Sequence, residues 1–154
     1  MDRGLIFDVV EHLPVVTYKK PTKRDAELLL QLMHSQSTPA MNEAMTWFMK
    51  GFSAKDYKEF KSKYPEGSPE YNNLSRVLSM FELDGTLVSH GLLNENLYFD
   101  MSGIGFMWDR LAPIVAGWRK EVSPALWENA VWLAERQKQW SKEVWKPGLK
   151  WKKK

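Results

Sequence analysis

The stretch SPEYNNLSRVLSMFELDGTLVSHG, residues 68–91, decides the fold class. Leu74, Val77, Leu78 and Phe81 recur at the three- and four-residue spacing of one helical face, and Gly85 and Val88 continue it. Ser68 before Pro69 is a helix-opening pair. The hydroxyl accepts from an orphan backbone N–H, and a proline at the first helical position has no N–H to lose. Gly91 supplies the stop. A strand would alternate with period two, which this stretch does not do. It reads as one long helix with an apolar face that other elements must cover.

Upstream, the same grammar repeats. Thr22 and Asp25 form a capping-box pair ahead of Ala26, Leu29, Leu30 and Met33, predicting a helix to about Gln36. Thr38 and Pro39 start a second helix carrying Met41, Ala44, Met45 and Phe48, which Gly51 ends. Ser53 is expected to cap a short third helix, with Asp56 completing its box. Downstream, Asn94 opens a short helix broken at Ser102 and Gly103. Trp108, Leu111, Ala112 and Val115 mark another, bent or started late by Pro113. Ser123 and Pro124 are expected to open a last helix through Trp127, Ala130, Val131 and Ala134 to about Trp145. The expected fold is all-α, a compact bundle of about six to seven helices. Residues 1–21 read as an irregular, apolar N-terminal arm, residues 22–146 as one helical domain, and residues 147–154 as a basic tail.

Composition narrows the chemistry. The 154 residues are 44% hydrophobic, enough for a core without staples, and hold no cysteine. Thiolate metal sites, disulfides and cysteine nucleophiles are therefore excluded. His12, His34 and His90 lie far apart and none has a ligand one helical turn away, so no metal site is expected. Gly103-Ile104-Gly105 lacks the third glycine and preceding strand of a phosphate loop, and no serine sits in a nucleophile-elbow pattern. No cofactor or small-molecule substrate is evident. No uncharged apolar run reaches membrane-spanning length, and the N-terminal apolar residues lack the flanks of a signal peptide, so a cytoplasmic location is expected.

The net charge of +3 is unevenly spread. Residues 136–154 carry eight basic side chains against Glu143 alone, a net +7, which leaves 14 basic and 18 acidic residues, a net −4, on the first 135. Seven of the eight tryptophans follow Phe106, and the last three, Trp140, Trp145 and Trp151, stand among lysines. Such a segment fits a protein partner that meets tryptophan anchors and lysine steering charge. It also fits nucleic acid, through stacking and phosphate contacts, or an anionic membrane surface. A plainer alternative docks Trp140 on the body and leaves the lysines in water. The expected partner-binding residues are Trp140, Lys142, Trp145, Lys146, Lys150 and Trp151. Glu82, at the edge of the apolar face, reads either as a general base or as a structural ion pair with Arg119, and the ion pair is preferred.

One further pattern bears on family. Val77-Leu78-Ser79-Met80-Phe81-Glu82, Gly85, Leu87-Val88 and Gly91-Leu92-Leu93 are followed by Trp108, Leu111-Ala112-Pro113-Ile114 and Arg119. The set resembles a bacterial and phage family of small helical domains of unknown function, over roughly residues 23–135. The resemblance implies a helical fold and a bacterial or phage context, and no activity. Many members carry an N-terminal membrane helix, and no apolar run of that length is found here.

A small helical domain without catalytic motifs is expected to be a non-enzymatic protein-protein interaction module, either homo-oligomeric or binding another protein. In its sharper form it is a phage-encoded or bacterial modulator or inhibitor of a cellular or defence protein. The alternative is a peripheral membrane-surface or nucleic-acid binder acting through the Trp/Lys-rich end. Because Pro147 and Gly148 bar the last helix from continuing, the end owes little to the core. Removing residues 145–154 is therefore expected to change unfolding free energy by less than about 1 kcal/mol, measured by urea denaturation.

Overall fold

Residues 13–144 are described by the structure, a computed structural model. Among them are seven α-helices and no strand: α1 (Lys23–Gln36), α2 (Pro39–Lys50), α3 (Tyr57–Lys63), α4 (Pro69–Ser89), α5 (Glu95–Met101), α6 (Ile104–Glu121) and α7 (Glu128–Glu143). The long helix read from residues 68–91 is the centre of the bundle. It packs chiefly against α7 and α2, while α6 joins α3 to α7. Leu74, Val77 and Leu78 are sealed from solvent, together with Phe48, Phe60, Ile104, Leu111, Ile114 and Leu133.

Capping chemistry places most helix starts where the sequence puts them. The Thr22 hydroxyl accepts from Asp25 N, and the Asp25 carboxylate returns a bond to Thr22 N at 2.8 Å. Thr38, Ser68 and Asn94 cap α2, α4 and α5 with their side chains. Three expectations need correction. Asp56, not Ser53, caps α3, because its carboxylate accepts from Glu59 N at 2.8 Å. Pro113 neither delays nor ends α6, which runs through it from Ile104. Burial of Leu111, Ile114 and Val115 offsets the one backbone bond the proline removes. Finally, α7 starts at Glu128 and not at Ser123, since residues 123–127 form a turn.

At the foot of α7 stands Trp127, with φ 57° and ψ 29°, a left-handed conformation that is strained for a bulky side chain. It offers no side-chain cap. The cap comes instead from across the bundle. Glu82 Oε1 accepts from Asn129 Nδ2 at 2.8 Å and Asn129 N at 3.3 Å, and Oε2 accepts from Ala130 N at 2.9 Å. One turn further along α4, Gly85 lets the two backbones touch.

Residues 13–20 lie along the bundle without regular structure, and residues 1–12 of the expected arm are outside the described residues. Val16 is buried, and its N–H donates to Glu143 Oε2 at 3.2 Å. Asn94 and Asn96 side chains donate to Lys19 O.

A Cβ on Gly85 would lie 2.2 Å from the Asn129 carbonyl oxygen, a backbone atom that cannot swing aside. Gly85→Ala is therefore expected to lower stability by about 3 kcal/mol or more, read from the urea midpoint. Gly103→Ala meets nothing within 4 Å and serves as the near-neutral control.

Candidate functional site

Two concave features share one side chain, Gln36 at the end of α1. The larger is an open groove of about 610 Å³ between the α1–α2 elbow and α4. Ser75 and Ser79, one turn apart on α4, line it, and Met41, Met80 and Leu83 give it apolar walls. Leu83 is 46% exposed, a large apolar side chain on a helix whose opposite face is core. The one ionisable residue in the lining is Arg76, whose Nη1 donates to the neutral Asn73 Oδ1 at 3.2 Å. Gln36, Asn72 and Thr38 supply further hydrogen-bonding groups.

The smaller feature is a cavity of about 160 Å³ beside Asp84, lined also by Leu29, Leu32, Met33, Tyr98, Met101 and Ser102. Asp84 is only 4% exposed. Tyr98 Oη donates to Oδ2 at 2.7 Å, and Gln36 Nε2 donates to Oδ1 at 2.6 Å. Both donors are neutral, and no cation forms an ion pair with Asp84 among the described residues. Burial pushes the Asp84 carboxyl above its ordinary range, against the opposing pull of those two bonds. The Tyr98 hydroxyl is pushed far up, first by burial and then by the Asp84 charge.

This acid was missed in the sequence, although a signal was present. Counting from Phe81, Asp84 falls three residues on, in register with Gly85 and Val88, so it belongs to the apolar face. Glu82 drew attention because of its place beside that face, and the structure uses it as the cap of α7. Here the expected Glu82–Arg119 ion pair is corrected. No such pair lies within 4 Å among the described residues, because the Glu82 oxygens are taken by α7. Arg119 is 8% exposed and its Nη1 has no hydrogen-bond partner among the described residues. Burial lowers its pKa, while Glu128 and Glu82 act in the opposite sense through space.

The expected partner-binding end divides in three. Trp140 is corrected: it is 5% exposed, packs on Phe99 with ring centroids 5.7 Å apart, and its indole N–H donates to Asn96 Oδ1 at 2.8 Å. It faces inward because the α7 stripe of Ala130, Leu133 and Ala134 continues to it. Lys142 is exposed in the last turn of α7. Trp145, Lys146, Lys150 and Trp151 lie outside the described residues. Arg136, the first charge of the basic segment, is not a surface cation. It is 5% exposed, grips Glu95 through Nε at 2.6 Å and Nη2 at 2.9 Å, and donates through Nη1 to Pro14 O, which ties residues 13–20 to α5 and α7.

Among the described residues no cluster of three or more His, Asp or Glu is placed to hold a metal ion, and no helix is long and apolar enough to cross a membrane. The sequence profile described as "Domain of unknown function (DUF4760)" matches residues 21–137, and the chain belongs to that family. No curated protein and no solved structure matches it.

The Asp84 geometry has a consequence for pH. With its folded value raised above the ordinary 3.8, this carboxyl holds its proton more tightly in the folded than in the unfolded chain. Its stabilising contribution is full below that ordinary value and is lost as pH rises through the raised one. Asp84→Asn removes this dependence. The stability of the variant relative to the parent is expected to grow between about pH 4 and pH 7, followed by thermal melts across that range.

Proposed function

We propose that this family member is a protein-protein interaction module that receives an amphipathic helix of a partner in the groove between the α1–α2 elbow and α4. The observation that carries the reading is the groove's lining. Two serines at helical spacing allow close backbone approach, and Met41, Met80 and the exposed Leu83 offer adaptable apolar walls. Arg76 is the single charge, so a partner helix with a carboxylate beside its apolar face is complementary in sign. One lone cation offers no acid–base pair for catalysis at this surface. The basic end, Lys142 together with Lys146, Lys150, Lys152, Lys153 and Lys154, adds steering charge for a partner that is acidic overall.

Ser79→Trp fills the groove from an exposed position and is expected to leave the melting temperature nearly unchanged. A protein retained by the parent chain and then reconstituted from purified components should bind the variant at least about tenfold more weakly, and Leu83→Asp should act in the same direction. Equal affinity of every reconstituted partner for parent and Ser79→Trp would refute the groove. Saturable binding to oligonucleotides or to anionic vesicles, with no protein partner, would replace it with the reading through the basic end.

A further inference from the structure

We infer that the cavity beside Asp84 is a binding site for a small primary ammonium compound with a short alkyl chain. Three observations converge on it. The first is the charge. A carboxylate that is 4% exposed, with hydrogen bonds only from the neutral Tyr98 hydroxyl and Gln36 amide, lacks the cation that buried acids ordinarily require. Each carboxylate oxygen takes one of these neutral groups and keeps a further lone pair for a third donor. No Lys, Arg or His of the described residues fills that place.

The second observation is the space. About 160 Å³ adjoins the carboxylate, and Leu29, Leu32, Met33 and Met101 give it apolar walls, with Ser102 beside them. That volume holds roughly five waters at liquid density, room for an ammonium head and a chain of a few carbons. Water would satisfy the carboxylate but would leave the four aliphatic and thioether walls without an apolar partner. A ligand with one charged end and one apolar end satisfies both parts. The polarizable methionine sulfurs also suit a cation's neighbouring methylenes.

The third is access. Met33 and Met101 are 36% and 55% exposed, so the cavity opens between two flexible side chains instead of lying sealed in the core. The site is separate from the helix groove in its chemistry, and it stands whether or not that groove binds a partner.

The test uses the full chain with n-butylammonium chloride as the probe, n-butanol as its uncharged counterpart and sodium chloride for ionic strength. At neutral pH, n-butylammonium should give saturable shifts of the Met33 and Met101 methyl resonances in ¹H–¹³C NMR. Its affinity should exceed that of n-butanol by at least about tenfold. Asp84→Asn, which keeps the shape and removes the charge, should erase that preference. Met33→Trp, which fills the mouth and keeps the Asp84 carboxyl, should abolish binding and decides the matter should Asp84→Asn fail to fold. Equal binding of n-butanol, absence of saturable shifts, or undiminished binding in either variant would overturn the inference.

Discussion

The bundle depends on the meeting of α4 and α7. Every other helix packs on one of these two or on a helix that does, so their separation sets the size of the whole core. Two residues of α4 define it. Gly85 removes the side chain that would hold the backbones apart, and Glu82 reaches the foot of α7 to accept its free N–H groups. A carboxylate at a helix N-terminus satisfies orphan donors and opposes the positive end of the helix dipole. Because the cap arrives from another helix, α7 can begin at a strained tryptophan with no cap of its own. Local strain and tertiary support belong to one design.

The same economy governs the charged residues. Several charged residues that the fold withdraws from solvent join elements that lie far apart in sequence. Arg136 holds Glu95 and the Pro14 carbonyl, binding α7, α5 and the extended N-terminal segment into one seam. Asp25 caps its own helix and also accepts from Asn94 N, which joins the starts of α1 and α5. Trp140 closes the seam by donating to Asn96. Asp84 departs from this pattern. Its two donors join α1 and α5 to α4, yet its charge is left without an opposite, and it borders space.

Around α4, then, the buried face is core and cap, with Asp84 and its cavity at the edge of that face, while Ser75, Ser79 and Leu83 border the groove. On the α5–α7 side, Glu95, Asn96 and Arg136 are engaged in hydrogen bonds that join elements. Exposed Leu83 and the two serines line the groove beside the α1–α2 elbow, and the buried Asp84 carboxylate lies between α1, α4 and α5.

Helix content and most helix starts were legible in the chain because they rest on local chemistry. The Thr22–Asp25 box, Thr38–Pro39, Ser68–Pro69 and Asn94 each satisfy backbone groups within three residues, and apolar spacing of 3.6 needs no distant partner to be read. Asp84 was legible in principle, since its register placed it on the apolar stripe. The start of α7, the role of Glu82 and the burial of Trp140 and Arg136 were not. Each depends on a partner 41 to 48 residues away, and a side chain's spacing along its own helix does not reveal what the neighbouring helix offers it. Charge along the sequence made residues 136–154 look like one exposed basic segment. Packing withdrew its first cation and first tryptophan into the core, because only three-dimensional proximity to Glu95 and Asn96 makes their burial favourable.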